Sequence, residues 1–469
     1  MFSRRDLLAL VASAAAYPQT AASSAWLTIT EASDLIRRKR LSPVELTRAC
    51  LDRIESLQPR LNAFITVTPD AALEAARAAE AEITRGRVRS PLHGIPIALK
   101  DLYDTAGVRT TAASAQWANR IPREDAEAVR RLKSAGAVLI GKTNMDEFAY
   151  NFTALSSHFG PARNPFDPSR SPGGSSGGSG VAVAAGLCLA ALGSDTGGSI
   201  RLPSAFCGLT GLKATFGTVP TDGVAPLAWS LDHAGPMCRT AADAALVHAV
   251  LAARPAAPFR EVKRLRLGIP RRIFYDGLTA PMQTAMDESL KHLETLTAGI
   301  AEVRLPEFAT NPDLGQMPTL FLTIISAEAY AFHRNMLRAS PDQYNPGIRA
   351  SIENGAKVEA AEYIDARRVM DEQRATIARH FGPADILVTP TTPGAAFALD
   401  NPGNLIYLRN SAPWNFWGLP ALTIPCGASP EGLPLGLQLI AKPNREDQLF
   451  ALANVFQSTT KHHTRRPSS

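Results

Sequence analysis

The chain has 469 residues, 45% of them hydrophobic, so it is long enough to bury a large core. Its formal net charge is only +6, aromatic residues make up 7%, and the longest basic run is the four residues at 37–40, which together argue against a nucleic-acid-binding surface. The five cysteines lack zinc-site spacing, and their odd number argues against a disulfide framework.

The first twenty-five residues resemble a twin-arginine export signal. Arg4 and Arg5 precede an apolar stretch of about ten residues, which is too short to span a bilayer. Small residues follow, so cleavage is expected near Ala22 or Ala25. The sequence therefore predicts a signal peptide at 1–25, a periplasmic mature protein and no stable insertion in the membrane. Without the signal the protein would be cytoplasmic.

Helix and strand patterns alternate along the rest of the chain. Three amphipathic helices are predicted between residues 28 and 90, the second with Ser42 as its N-cap and Pro43 at its first position. A helix ending at Gly136 precedes a buried strand, and two further helices are predicted at 280–297 and 357–380. Other strand candidates lie at 94–101, 264–270, 384–390, 420–427 and 434–442. This alternation favours a layered α/β fold.

A stretch rich in proline and alanine at 253–263 interrupts the pattern. We interpret it as a junction inside one domain, because no internal repeat and no flexible linker are visible. The expected organisation is a single domain at 26–457, with N-terminal helices at 28–90, a core at 91–252, a C-terminal segment at 264–457, and a polar tail at 458–469.

Two short motifs suggest activities that their context does not favour. Residues 136–143, GAVLIGKT, fit a phosphate-binding loop, but the four central residues are apolar and favour a buried strand. Residues 173–177, GGSSG, fit the nucleophile elbow of an α/β-hydrolase-type esterase. That elbow follows a β-strand, and the proline-containing segment ARNPFDPSRSP cannot form one. The esterase remains an alternative to the function given below.

A lysine and two serines form the candidate catalytic group. No histidine lies between His158 and His233, so a nucleophilic serine in this region needs another base. Lys100 ends an apolar strand, and a buried lysine has a lowered pKa that lets the neutral amine act as a base. A pairing of serine with lysine is a known way to activate a hydroxyl. Lys100, Ser175 and Ser199 are therefore the candidates.

The glycine turn DTGGS could supply an oxyanion hole. Missing side chains let a substrate approach the main chain, so the N–H groups of four residues could point at one atom. A tight turn without such a role would explain the same glycines. The candidate donors are Thr196, Gly197, Gly198 and Ser199.

The chain resembles the amidase signature family from about residue 30 to 457. The resemblance is carried by GIPIALKD at 94–101, SPGGSSGGSGVAVAAG at 171–186 and LGSDTGGSIRLPSAFCGLTGLKATFG at 192–217, with weaker matches at 141–150, 159–168, 230–237 and 418–427. Separations of 75 residues from Lys100 to Ser175 and 24 from Ser175 to Ser199 also match the family. The resemblance implies an α/β/α fold with a large mixed central sheet.

The resemblance also implies a role for each site residue. Ser199 would be the nucleophile, Ser175 a relay serine after a cis peptide bond with Gly174, and Lys100 the base. Ser176 would hydrogen-bond Lys100. No metal and no organic cofactor would be needed. Asp195 and Arg201, which flank the glycine turn, are expected to be structural braces.

The implied activity is hydrolysis of a carboxamide C–N bond through an acyl-enzyme on Ser199. The favoured form is a stand-alone amidase acting on a small-molecule amide, with no nucleic-acid partner and a possible homodimer. The main alternative is the glutaminase A subunit of a tRNA-dependent amidotransferase, which an export signal would exclude, and a non-catalytic binding protein is another. Expected pocket segments are 145–157, 310–350 and 395–417, with apolar candidates Phe148, Phe152, Trp229 and Trp414.

Overall fold

A computed structural model describes residues 24–255, 259–307, 310–311, 317–401 and 403–467. The twin arginine and the rest of 1–23 lie outside the described residues, so the export signal stays a prediction. The described strands are β1 (Phe64–Val67), β2 (Pro96–Lys100), β3 (Val138–Thr143), β4 (Ala190–Asp195), β5 (Thr210–Lys213), β6 (His233–Cys238), β7 (Leu267–Ile269), β8 (Ile300–Glu302), β9 (Thr310–Asn311), β10 (Met317–Pro318), β11 (Ile386–Pro390), β12 (Ala421–Ala428) and β13 (Pro434–Ala441).

Eleven strands form one mixed sheet, in the order β1, β3, β2, β4, β6, β5, β12, β13, β11, β7, β8. Strand β2 pairs in parallel with β3 and β4, whereas β4, β6, β5, β12, β13 and β11 pair antiparallel in succession. Strands β9 and β10 form a separate pair. The predicted layered α/β fold with a large mixed central sheet is confirmed.

The described α-helices surround this sheet. They are α1 (Ile29–Arg37), α2 (Pro43–Leu61), α3 (Pro69–Thr84), α4 (Glu127–Ser134), α5 (Gly177–Ala184), α6 (Arg201–Phe206), α7 (Ala241–Leu251), α8 (Ala280–Leu296), α9 (Thr319–Ala339), α10 (Pro346–Asn354), α11 (Ala360–Thr376), α12 (Ile406–Arg409), α13 (Ala412–Phe416) and α14 (Glu446–Thr460). None of the helices in the described ranges is long and apolar enough to cross a membrane.

Local sequence signals place several elements correctly. Ser42 is the N-cap of α2, as predicted, and it also forms a capping box with Glu45. Gly136, at φ +86°, ends the turn before β3, so the GAVLIGKT motif is a buried strand and not a phosphate loop. Strands from all three predicted segments share the sheet, while the domain limits at 26 and 457 stay a prediction.

The parallel pairing of β2 with β4 positions the candidate site. Lys100 is the last residue of β2 and Asp195 is the last residue of β4. Because these strands are parallel, their carboxyl ends lie at the same edge of the sheet. Helix α5 begins at Gly177, two residues after Ser175, and packs against β4. A Cβ atom at Gly178 would overlap the carbonyl oxygen of Ala63 and the backbone of Asn144. Close packing at a glycine therefore fixes the helix that follows Ser175.

Gly178→Ala should lower the free energy of unfolding by at least about 2 kcal/mol, because the added methyl group meets backbone atoms that cannot move aside. Gly347→Ala is the matched control. Gly347 is also the second residue of a helix, but its added Cβ would come no nearer than 3.4 Å to a neighbour. Urea denaturation followed by circular dichroism measures both. Equal midpoints for the two variants would contradict the packing role of Gly178.

Candidate active site

Lys100 lies at the centre of the candidate site, fully buried at the end of β2. Its Nζ donates hydrogen bonds to Ser175 Oγ at 2.7 Å and Ser194 Oγ at 2.8 Å. Burial lowers the pKa of Lys100 to about 7, although the negative charges of three buried aspartates, Asp146, Asp195 and Asp232, partly oppose this shift. A large fraction of the amine is therefore neutral near pH 7 and can accept a proton.

Ser175 connects Lys100 to the glycine-rich segment. The Gly174–Ser175 peptide bond is cis. The Ser175 carbonyl accepts a hydrogen bond from the Asp146 N–H at 3.2 Å. A Cβ atom at Gly174 would overlap the Asp146 carboxylate and the backbone of Phe152. Only glycine fits before Ser175 for this reason.

Ser199 follows the turn after β4 and is 6% exposed, so it is nearly but not fully buried. Its carbonyl accepts a hydrogen bond from the Ser176 N–H at 3.3 Å, which joins the two serine-containing segments. The Ser199 hydroxyl makes no hydrogen bond with a described residue, so Ser199 and Ser175 are not hydrogen-bonded to each other in this structure. Catalytic hydrogen bonds often tighten only when substrate binds.

Asp195 and Arg201 form a buried ion pair that braces the turn, with Arg201 Nη2 2.8 Å from Asp195 Oδ1. Burial alone would raise the pKa of Asp195, but the Arg201 guanidinium holds that pKa well below its usual range. The ionised carboxylate accepts hydrogen bonds from the N–H groups of Gly198 at 2.8 Å and Ile200 at 3.1 Å. The expected structural role of Asp195 and Arg201 agrees with these contacts.

The hydrogen bonds of Asp195 exclude one of the four predicted oxyanion donors. The Gly198 N–H points to Asp195 and is not free to bind a substrate oxygen. The N–H groups of Thr196, Gly197 and Ser199 donate to no other group in the described part of the chain. Three of the four predicted donors therefore remain candidates for the oxyanion hole.

The expected contact between Ser176 and Lys100 is also wrong. The Ser176 hydroxyl donates to the Ser194 carbonyl at 3.2 Å and accepts from the Ser194 N–H at 3.3 Å, so it holds the backbone of β4. Ser194 itself provides the second hydrogen bond to Lys100. Ser194 was not among the residues predicted from the sequence. The one sequence signal for Ser194 is its position directly before Asp195, near the end of the strand that pairs in parallel with β2.

A cavity of about 200 Å³ lies beside Ser194 and Thr196. The remaining lining residues are mostly apolar: Ala149, Thr221, Val224, Ala225, Pro226, Leu227, Trp229, Asp232 and His233. Burial lowers the pKa of His233 well below its usual value, so its ring is neutral. The cavity lining thus includes no positively charged side chain. A larger cavity of about 800 Å³, lined by 269–274 and 302–307, contains none of the three candidate catalytic residues.

Of the four predicted apolar pocket residues, only Trp229 lines the cavity of about 200 Å³. Phe148 packs against the His333 ring at 4.4 Å, Phe152 against Phe397 at 6.0 Å, and Trp414 stacks on Phe274 at 4.9 Å. These three predictions are wrong, because Phe148 and Phe152 pack in two smaller apolar clusters and Trp414 packs in the main core.

The predicted pocket segments still supply apolar side chains to the glycine turn. Phe321 of α9 lies so close to Gly197 that a Cβ atom there would be 2.9 Å from the ring. Leu408 of α12 would be 3.1 Å from a Cβ atom at Gly198. Neither residue was singled out from the sequence, because nothing local marks them. The described residues include no cluster of side chains suited to a metal ion.

Taken together, these groups are suited to nucleophilic catalysis on a carbonyl compound. A neutral Lys100 can accept a proton from Ser175, and Ser175 in turn from Ser199. Free N–H groups beside Ser199 can stabilise the negative oxygen that forms when Ser199 attacks a carbonyl carbon. The apolar cavity can hold the group attached to that carbonyl.

Comparison with known proteins identifies relatives over nearly the whole chain. The family model described as Amidase matches residues 45–450. The A subunit of the glutamyl-tRNA(Gln) amidotransferase of Moorella thermoacetica is 40% identical, covering 94% of this chain and 98% of that protein. Among solved structures, one described as an amidase aligns with a TM-score of 0.85 at 33% identity, covering 92% of this chain and 99% of the other. A peptide amidase from Stenotrophomonas maltophilia aligns at 0.79 and 31%, covering 94% and 98%.

These relatives correct the expected partners. The sequence led us to expect no nucleic-acid partner and no protein partner beyond a possible homodimer. That expectation is wrong, because curated relatives 36–40% identical over 94% of the chain are subunits of an amidotransferase of glutamyl-tRNA(Gln).

The pKa of Lys100 predicts how Ser199 reactivity depends on pH. Reaction with a fluorophosphonate forms a bond from Ser199 Oγ to phosphorus and releases fluoride, while the hydroxyl proton passes through Ser175 to Lys100. Below a pH of about 7 Lys100 is protonated and cannot accept it, so labelling should slow about tenfold per pH unit and level off above that pH. Intact-mass spectrometry measures the rate.

Lys100→Arg provides the control, because arginine stays protonated throughout this pH range. This variant should label at less than a hundredth of the wild-type rate, on the order of the loss of a general base. A wild-type rate that does not change between pH 6 and 8 would contradict the role of Lys100.

Ser194→Ala should slow the same labelling about tenfold, because Lys100 loses one of its two hydrogen-bond partners in a buried site. Ser176→Ala is the matched control, since the Ser176 hydroxyl hydrogen-bonds only the Ser194 backbone among the described residues and its loss should slow labelling by no more than about threefold. A larger loss in Ser176→Ala than in Ser194→Ala would restore the contact expected from the sequence.

Proposed function

The chain belongs to the amidase signature family, whose members hydrolyse amide C–N bonds, and from this premise we propose that it is the A subunit of a tRNA-dependent amidotransferase. In that role it releases ammonia from glutamine for the transamidation of a tRNA-bound glutamate. The observation that carries the proposal is the 40% identity to the A subunit of a glutamyl-tRNA(Gln) amidotransferase over 98% of that protein's length.

The proposed reaction uses the residues of the candidate site in sequence. Ser199 attacks the amide carbonyl, and its proton passes through Ser175 to neutral Lys100. The N–H groups of Thr196, Gly197 and Ser199 stabilise the oxyanion. The proton returns through Ser175 to the leaving nitrogen, so the C–N bond breaks and ammonia departs. Water then attacks the acyl group on Ser199 and releases the carboxylate.

This proposal reverses the preference for a stand-alone amidase that the sequence suggested. That preference depended largely on the twin arginine at Arg4 and Arg5, which stays a prediction. The cell compartment separates the two functions, because a tRNA-dependent enzyme works in the cytoplasm. A periplasmic mature chain beginning after Ala22 or Ala25 would count against the amidotransferase.

A second candidate function is supported by the cavity. Glutamine carries an α-carboxylate, and a buried carboxylate needs a positively charged or hydrogen-bonding partner. The cavity beside Thr196 is lined by Trp229, Leu227 and other apolar groups, and no cation is among its lining residues. This composition favours a hydrolase of carboxamides with an uncharged acyl group. Likeness to solved structures described as an amidase and a peptide amidase supports the same candidate.

Ammonia release from matched substrates distinguishes the two candidates. The amidotransferase proposal predicts hydrolysis of glutamine that increases at least about tenfold when glutamyl-tRNA and the remaining subunits of that enzyme are added, since kcat/KM depends on a completed site. The second candidate predicts that hexanamide or benzamide reacts about a hundredfold faster than glutamine with or without them. Ser199→Ala is the background for both.

Each outcome has a clear consequence. Co-purification of the chain with the other subunits, together with stimulated glutamine hydrolysis, supports the amidotransferase. Preference for the uncharged amides contradicts it in favour of the second candidate. Ammonia release equal to that of Ser199→Ala with every amide would overturn both.

A further inference from the structure

Asp232 joins two parts of the site that otherwise belong to different segments, the glycine turn and the wall of the cavity. We propose that Asp232 is a positioning residue. Its carboxylate holds the oxyanion donor at Thr196 and the cavity wall at 227–228 in a fixed position relative to each other. The inference rests on the proposed hydrolysis of amides and adds to it a residue that the sequence did not indicate.

The contacts of Asp232 divide between its two carboxylate oxygens. Oδ1 accepts a hydrogen bond from the Thr196 hydroxyl at 2.6 Å. Oδ2 accepts from the N–H groups of Leu227 at 2.9 Å and Ala228 at 3.1 Å. Hydrogen bonds to a charged acceptor are shorter and stronger than those between neutral groups. One carboxylate therefore holds Thr196 and the backbone of the wall at a fixed distance from each other.

The other side of the same wall is fixed from the C-terminal segment. The carboxylate of Glu328, on α9, accepts hydrogen bonds from the Ser230 N–H at 3.0 Å and the Ser230 hydroxyl at 2.6 Å. Tyr363, on α11, donates to the same carboxylate at 2.9 Å. Glu328 has no hydrogen bond to Thr196. The wall is thus held at two points, and among the described residues only Asp232 hydrogen-bonds both the wall and Thr196.

The charge of Asp232 matters because an ionised carboxylate accepts hydrogen bonds at both oxygens, one from Thr196 and the others from the wall. Burial raises the pKa of Asp232 to about 6, the hydrogen bond from Thr196 opposes the rise, and the nearby negative charge of Glu328 adds to it. Lys100 also faces this charge, and neutral His233 follows Asp232 in the chain and lines the same cavity. At pH 8 the carboxylate is ionised and accepts all three hydrogen bonds. Neutralising it leaves Thr196 and the wall without a shared charged acceptor.

A double-mutant cycle on Ser199 labelling tests the connection. Asp232→Asn removes the charge at nearly constant shape, and Thr196→Val removes the hydroxyl while keeping the backbone N–H. Each variant reacts with an alkyl fluorophosphonate at pH 8, and intact-mass spectrometry gives the rate of adduct formation. Circular dichroism and thermal melting check that each variant is folded. Glu328→Gln is the matched control, because this buried carboxylate on α9 hydrogen-bonds the wall at Ser230 and makes no hydrogen bond to Thr196.

The expected result is a loss of about tenfold in each single variant and about the same tenfold in the double variant, because both substitutions break one connection. Glu328→Gln should slow labelling by less than about threefold. Thr196→Ser keeps the hydroxyl and should regain most of the rate lost in Thr196→Val. This comparison still decides the question if Asp232→Asn does not fold.

Three results would overturn the proposal. They are labelling of Asp232→Asn within twofold of the wild type, losses that multiply in the double variant, and a Thr196→Ser rate no higher than that of Thr196→Val. Labelling requires only a reactive Ser199 and no amide substrate. A chain that hydrolyses no amide would therefore disprove the proposed function while leaving the cycle informative, and unchanged labelling in Asp232→Asn would leave amide hydrolysis in place.

Discussion

The burial of Lys100 among hydroxyl groups is the constraint on which the rest of the site depends. Both hydrogen bonds from its Nζ go to serines, Ser175 and Ser194, and neither partner is charged. Lys142, on the neighbouring strand, is also buried but has the Asp101 carboxylate 3.8 Å away. Lys100 makes no such ion pair with a described carboxylate, and burial lowers its pKa to about 7. The same serine hydroxyls that satisfy the amine also give its proton a route.

A neutral base is not sufficient for catalysis. The N–H groups that stabilise the oxyanion must also be held in place. The Asp195 carboxylate and the Arg201 guanidinium provide that rigidity beneath the turn. Arg201 is anchored in turn by Gln438 at 2.6 Å and Asn415 at 2.6 Å, which come from the C-terminal segment. Buried ion pairs contribute little net stability unless hydrogen bonds satisfy them. Here the hydrogen bonds fix the position of the turn relative to β13 and α13.

The sequence predicted the parts of the structure that have local signals. The alternation of apolar runs predicted β2, β3, β7, β11, β12 and β13, and Ser42 predicted the start of α2. Contacts between distant segments could not be predicted, because nothing in the sequence near Asp232 or Phe321 indicates that these residues meet at one site. Ser176 was misassigned for the same reason: its neighbour in sequence is Ser175, but its partner in space is the backbone of Ser194. The aromatic residues Phe148 and Trp414 were likewise placed by composition and belong to packing clusters.

The paired glycines of the turn follow from the need to point neighbouring N–H groups in different directions. The Gly198 N–H points inward to Asp195, while those of Gly197 and Ser199 have no acceptor in the described chain. Reversing the direction between adjacent peptide groups places Gly198 at φ +137°, a conformation that residues with a side chain rarely adopt. Ser411 holds the intervening carbonyl, that of Gly197, through a hydrogen bond of 2.6 Å. One N–H group stabilises the turn so that its neighbours remain free for a substrate.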